Sequence, residues 1–521
     1  MSADQGYIEI QKSTQSDRPV GLVHFFNPVT VKRNIIANFS GSAWSALMSL
    51  AFVPFYIRLM GVESYGIVGV FSSLTAMLAV LDLGLSQAMS REMALLCGDK
   101  SNTRRIVDTA RTLEVIYWLI ALGVVTAVIL LSDFIAYRWL NPERLSRDTL
   151  RQVLGIMALV IGLRWPVAIY MGGLNGLQRQ VLVNILSSVI ATLQGVGSLA
   201  VLWFFEPTAR VFFLWHALIA VIQAIAFRIA LWRSFSTDRK GTFCKEVLHN
   251  VWRFAAGMTG ISMMATILTQ MDKILLSRML TLTDFGYYTF ATTIAAVIYR
   301  IVGPVFTAYY PRLTTLVAKN DYMELVDAYH QGCQLMAVMI LPATFVLAFF
   351  SREILALWSC NVELVENSSL LVSLLVIGNA LNGLMHIPYA LQLAHGWTKF
   401  AFYTNVIAVI FLVPAIYFAT IRWGVVGAAG VWITLNVGYI LVGAQIMYCH
   451  LLVGEKWRWY SSDIGRIMLP VLVVMGVARQ LMQSNLGGVA ETVIFILVFW
   501  ISTIAAFFCA GNLHKRLNFN G

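Results

Sequence analysis

Fourteen separate runs of mostly apolar residues punctuate this chain, and no other feature restricts its fold as severely. A helix rising 1.5 Å per residue needs about 20 residues to cross a hydrocarbon layer of about 30 Å. The runs lie near 34–57, 65–90, 113–132, 150–173, 181–204, 211–230, 254–277, 286–310, 332–350, 368–394, 400–420, 424–448, 464–482 and 489–510. A membrane barrel would instead show alternating segments of roughly 10 residues. Pro166, Pro304, Pro342 and Pro388 fall inside runs. Membrane helices tolerate proline because neighbouring helices satisfy the freed backbone groups. The expected fold class is therefore all-α: a polytopic membrane protein of about 14 transmembrane helices.

Composition agrees. Of 521 residues, 59% are hydrophobic and 12% charged, and the mean hydropathy is +0.74. Soluble domains carry about 25% charged residues, so this chain lacks the polar surface of a water-soluble body. The first 30 residues are mostly polar, with Asp4, Glu9, Lys12, Asp17 and Arg18 scattered through them, and no cleavable signal core is read there. Val20 to Val31 reads either as an amphipathic segment on the membrane surface or as a disordered tail.

Basic residues set the expected orientation. With fourteen spans and a cytoplasmic N-terminus, 24 of the 37 basic residues fall on the inside and 11 on the outside. Arg164 and Arg300 remain at membrane depth. Both termini are thus expected in the cytoplasm, and the basic loops account for much of the +11 net charge without nucleic acid as a partner. The six cysteines show no metal-binding spacing and read as small apolar residues. No metal and no cofactor is expected.

The chain also resembles itself at an offset of about 220 residues. Arg58-Leu-Met-Gly-Val-Glu-Ser-Tyr-Gly66 parallels Arg278-Met-Leu-Thr-Leu-Thr-Asp-Phe-Gly286. Val107-Asp108-Thr109-Ala110 parallels Val326-Asp327-Ala328, and Trp139 parallels Trp358. Each repeat holds six spans, an even number, so two parallel six-helix repeats plus two C-terminal helices are expected. The implied division is an N-terminal tail (1–30), an N-lobe (31–232), a cytoplasmic linker (233–253), a C-lobe (254–450) and a C-terminal pair of spans with a short tail (451–521).

Particular motifs then point to a family. They are Asn38-Phe39-Ser40-Gly41, Pro54-Phe55-Tyr56-Ile57-Arg58 through Gly66, Leu81-Asp82-Leu83-Gly84-Leu85 and Ser90-Arg91 in the first half. The second half carries Gln270-Met271-Asp272-Lys273-Ile274-Leu275-Leu276, Gly286-Tyr287-Tyr288 and Tyr310-Pro311-Arg312-Leu313. Over roughly residues 30 to 450 the chain resembles the Wzx-type polysaccharide exporters of the multidrug/oligosaccharidyl-lipid/polysaccharide superfamily. The resemblance implies a V-shaped cavity lined by helices 1, 2, 7 and 8. It implies translocation of undecaprenyl-diphosphate-linked oligosaccharide across a bacterial inner membrane, in O-antigen or exopolysaccharide synthesis. The implied partners are that lipid-linked oligosaccharide, membrane lipids and polysaccharide polymerase machinery.

Charged residues inside spans are the candidates for function, because burying a charge in lipid costs at least about 2.5–3.5 kcal/mol. Arg300 and Arg164 are candidate substrate-binding residues, since guanidinium pairs with phosphate oxygens and stays charged. Each has an alternative reading as a packing residue. Arg58 and Arg278, at matching places in the repeats, read as headgroup contacts, an outer gate or interfacial anchors. Asp82 and Asp272 are candidates for ion coupling. Asp82 otherwise caps or pairs near the end of helix 2, and Asp272 otherwise pairs with Lys273 or Arg278. His216 and His386 read as packing groups or a proton relay, and Asn379, Asn382 and Asn405 as helix joiners or sugar contacts.

A non-enzymatic transporter is the reading, with ion-coupled alternating access. A lipid II flippase or drug/cation antiporter of the same superfamily is the neighbouring alternative. A membrane glycosyltransferase or polymerase is the alternative of another class. It is disfavoured because the interior loops are short and no phosphate loop, acid dyad or zinc constellation stands out.

Overall fold

Inside hydrocarbon each backbone N–H and C=O must find its partner within the chain, which favours helices throughout. A computed structural model describes residues 28–96, 103–235, 241–245, 263, 266–481 and 488–511, and among them no strand occurs. Twelve described stretches are long and apolar enough to cross a membrane. One of them, Phe402–His450, contains a reversal at Gly424 (φ 57°, ψ −144°) and so supplies two antiparallel arms. The Tyr439 hydroxyl reaches Asn405 Oδ1 at 3.4 Å, although 34 residues of straight helix would separate them by about 51 Å. Only glycine takes such a backbone conformation cheaply. The apolar run at 254–277 falls mostly outside the described residues, but 266–279 is helical.

The first half comprises α1 (Pro28–Ala51), α2 (Val53–Met60), α3 (Val62–Leu78), α4 (Leu85–Leu96), α5 (Thr103–Phe134), α6 (Arg147–Gly176), α7 (Gln180–Phe204) and α8 (Ala209–Ser234). The second comprises α9 (266–279), α10 (Leu282–Ala295), α11 (Val297–Lys319), α12 (Tyr322–Phe349), α13 (Ser351–Ser359), α14 (Val362–Leu384), α15 (His386–Ala394), α16 (Thr398–Gly438) and α17 (Ala444–His450). Two further helices, α18 (Lys456–Leu481) and α19 (Gly488–Cys509), pack against α12. Helix α5 starts ten residues before the apolar run does. Arg104, Arg105 and Arg111 lie in those added turns, so hydropathy alone misses a helix that continues past the apolar layer. The N-terminal tail and most of the inter-lobe linker lie outside the described residues. Of the linker, Thr242 donates to Asp108 Oδ1 through its amide (2.7 Å) and hydroxyl (3.0 Å), and the Cys244 amide donates to Thr112 (2.9 Å).

The halves meet mainly where α3 crosses α10. Gly66 lies against the Leu282 carbonyl and its repeat partner Gly286 against the Val62 carbonyl, so a Cβ at either would collide with backbone. The two aligned glycines are therefore points where backbone of one half meets backbone of the other. Beside the crossing, Asn141 Nδ2 donates to the carbonyls of Arg278 (2.9 Å) and Leu280 (3.3 Å), and the Leu282 amide donates to the Asn141 carbonyl (2.9 Å). The Thr283 hydroxyl bonds the Glu143 carboxylate. Glu63, buried, receives the amides of Glu143 (2.6 Å), Arg144 and Leu145 and so holds that loop in place. One end of the molecule is closed by this set of bonds.

Candidate functional site

Directly beneath the closed end lies a cavity of about 330 Å³ between the halves. Ala46, Ser49 and Leu50 of α1 and Ser72 of α3 form one wall. Lys273 of α9, Thr289, Thr292 and Thr293 of α10, and Ala296, Val297 and Arg300 form the other. No carboxylate is among these lining residues, so its two fixed charges are both positive. Arg300 is exposed and has no hydrogen-bond or ion-pair partner among the described residues. It starts an exposed stripe along α11, at Gly303, Thr307, Pro311 and Thr314. These positions recur every three to four residues and share one helix face. Lipid-facing surfaces look different: α8 exposes Leu214, Leu218, Val221 and Ile225. A small, polar face on a membrane helix belongs to a water-filled cleft, where hydroxyls and a guanidinium keep their hydration.

A second cavity, of about 370 Å³, lies within the second half. Asp272, Lys273, Gln270, Tyr288, Tyr299, Asn379 and Trp432 are among its lining residues. Tyr288 donates to Asp272 Oδ2 at 2.7 Å, while Asp272 Oδ1 is buried with no partner among the described residues. The carboxylate is thus held by Tyr288 and is ion-paired with neither Lys273 nor Arg278. Lys273 Nζ donates to Gln270 Oε1 at 3.3 Å. The far wall is wired through amides: Trp432 Nε1 donates to Asn379 Oδ1 (2.9 Å), Asn379 Nδ2 to the Ala295 carbonyl (2.9 Å) and Asn382 Nδ2 to Asn436 Oδ1 (2.8 Å). Lys273 lines both cavities.

The remaining candidates lie apart. Arg164 sits inside the first half, bonded to His216 Nδ1 at 3.1 Å and placed over the Phe71 ring at 5.7 Å, with its Nε unpartnered among the described residues. His216 in turn meets Ser198 at 3.3 Å. Neither cavity has Arg164 among its lining residues. Asp82 lies where α3 gives way to α4, at Leu83 (φ 50°) and Gly84 (φ 74°). The Tyr117 hydroxyl bonds it, and Ser86 donates to it at 2.8 Å. Arg58 and Arg278 are exposed at the closed end and have no side-chain partners among the described residues. His386 bonds the Asn382 carbonyl at 3.0 Å and packs beside Tyr299 and Phe306.

Sequence reasoning passed over Lys273 as a cavity residue, treating it only as a counter-ion for Asp272. The signal was present: a second charge within the same membrane run. It also passed over two buried charge centres. Glu114 accepts from Arg228 Nε (2.6 Å), Arg111 (2.8 Å) and Tyr170 (2.9 Å). His330 lies between Asp463 and Glu455 Oε2 (3.0 Å), and Gln334 donates to Asp463 Oδ1 (2.9 Å). Apart from Arg111, one helical turn from Glu114, their partners are 56 to 133 residues distant in sequence, so no local pattern announces the full sets.

Two sets of membrane helices, crossing at one end over a cationic cleft, define a polytopic membrane protein. The fold is shared with the lipid II flippase MurJ in an inward closed conformation (TM-score 0.69, 14% identity, 90% of this chain and 97% of that one). It is also shared with an inward-facing multidrug resistance MATE transporter of the MOP superfamily (TM-score 0.61, 13% identity, 79% and 95%). In sequence, a candidate O-antigen transporter of Shigella flexneri is 20% identical over 406 residues, spanning 78% of this chain and 94% of that protein. The family model described as polysaccharide biosynthesis protein matches residues 31–317, more than half of the chain, and the chain belongs to that family. These relatives and neighbours are transporters and flippases, not enzymes.

Proposed function

We propose that this protein is a flippase that moves undecaprenyl-diphosphate-linked oligosaccharide between the leaflets of a bacterial inner membrane. The observation that carries the reading is the inter-lobe cavity, where Lys273 and Arg300 stand without an acid among the lining residues. A diphosphate must shed water to cross, and a guanidinium replaces part of that hydration through paired N–H bonds. Ser49, Ser72 and the three threonines of α10 offer hydroxyls to sugar or phosphate oxygens. Both termini then lie in the cytoplasm, and the closed end with Arg58 and Arg278 faces the periplasm. Alternating access exchanges that closure for an opening there. Asp272, with an unpartnered oxygen in the second cavity, is the cation-coupling carboxylate of this scheme.

Arg300→Ala tests the reading. The variant should reach the membrane at wild-type levels yet fail to complement a strain lacking its oligosaccharide flippase. Arg300→Lys should restore part of the activity, because charge survives while bidentate geometry is lost. Normal transport by Arg300→Ala would overturn the role of this cation. Formation of a glycosidic bond by the purified chain would overturn the transporter reading altogether.

A further inference from the structure

Lys273 lines both cavities, and its neighbour Asp272 offers an unpartnered carboxylate oxygen to one of them. The lysine's ammonium is at present bonded to Gln270, a residue that lines the second cavity but not the inter-lobe one. The ammonium therefore stands at the wall between two sites that both have a use for it. On one side is a carboxylate with spare acceptor capacity; on the other is the cleft that holds Arg300.

From this arrangement we propose that Lys273 couples the two sites by being shared between them: a monovalent cation at Asp272 releases its ammonium toward a diphosphate in the inter-lobe cavity. This inference rests on the flippase reading above. The electrostatics set its sign. A bare Asp272 carboxylate attracts the ammonium in a poorly screened interior and holds it toward the second cavity. A sodium ion or proton on Asp272 cancels that attraction. The four-carbon stem of lysine has freely rotating bonds, so the ammonium can then turn to the cleft and join Arg300 on the phosphate oxygens. Coupling of this kind is reciprocal: a bound diphosphate raises the affinity for the cation by the same factor.

Binding of farnesyl diphosphate to the full-length chain in nanodiscs tests the proposal. Sodium is exchanged for choline at constant ionic strength in one series, and pH is lowered at constant sodium-free ionic strength in the other. Wild type should bind the probe about 5- to 150-fold more tightly in one series, and the series that responds identifies the cation. Lys273→Met should bind weakly through Arg300 with no response to either cation. Asp272→Asn should bind tightly and be equally indifferent, because its neutral amide no longer holds the lysine back. Should Lys273→Met fail to assemble, Gln270→Ala serves instead and should bind more tightly than wild type without cation. Cation dependence retained in Lys273→Met, or an unaltered Gln270→Ala, overturns the proposal. Wild-type binding that ignores both cations also overturns it while leaving the flippase reading intact. Absence of any diphosphate binding by wild type overturns the flippase reading itself.

Discussion

The two halves bury charge at corresponding places and with opposite polarity. At the repeat offset, Arg111 of α5 corresponds to His330 of α12, and Asp108 corresponds to Asp327. In the first half one acid, Glu114, is surrounded by Arg111, Arg228 and the Tyr170 hydroxyl. In the second, one histidine is surrounded by two acids, Asp463 and Glu455. In both, a segment following the last span of the half docks on the same helix: 241–245 on α5, and the start of α18 on α12. The docking position is alike in the two halves, while the charges that meet there differ. The difference lies in access to water. Arg111 and Arg228 keep 43% and 49% of their side chains exposed, whereas His330 and Asp463 are fully buried.

That difference predicts the largest effect. His330→Ala leaves the fully buried Asp463 without its cationic partner, while Glu455 keeps Arg458 at 3.4 Å, and breaking a buried pair costs about 3–5 kcal/mol. Thermal unfolding of the detergent-purified protein should register it, with α18 and α19 becoming sensitive to protease first. Glu114→Gln should cost less, about 1–3 kcal/mol, because both arginines can turn to solvent and their interaction is already partly screened. Equal destabilisation by the two variants would contradict the distinction.

The α3–α10 crossing is where the halves are most alike. Gly66→Ala and Gly286→Ala should behave as a matched pair, since each Cβ drives into a carbonyl oxygen of the other half. Overpacking of this kind costs about 1–3 kcal/mol. Both should speed labelling of a cysteine placed at Thr293 by a reagent added from the Arg58 side. Gly69→Ala meets side chains, Thr289 and Phe285, rather than backbone, and should have a smaller effect because side chains yield before a carbonyl does.

The loop after the third span separates the halves again. Asn141 reaches across to the Arg278 and Leu280 carbonyls, while its repeat counterpart Asn361 only caps α14 at the Leu364 amide (3.1 Å). Asn141→Ala should loosen the closed end by about 1–2 kcal/mol in the same labelling assay. Asn361→Ala should lower stability by about 0.5–2 kcal/mol with no change in labelling. The smallest effect is expected for Arg58→Ala and Arg278→Ala, which remove exposed charges with no side-chain partner among the described residues. Stability should move by no more than about 0.5 kcal/mol, measured by the same unfolding transition.

Much of this was readable from the chain alone. Apolar length dictates membrane helices, because lipid offers no partner to an open backbone. Gly66 and Gly286 stand out in sequence as matching glycines at the start of a helix, and the structure places both at the α3–α10 crossing. Arg300 stood out because a charge inside an apolar run needs water or a partner. What the tertiary structure decided was company. Arg164 and Arg300 look alike in sequence, yet one meets His216 and Phe71 inside a lobe while the other lines the cleft. Lys273 and Asp272 are adjacent in the chain, yet the carboxylate bonds Tyr288 and the lysine bonds Gln270. Hydropathy reports how much a residue dislikes lipid. Which neighbour relieves that cost depends on how helices distant in sequence turn their faces to one another.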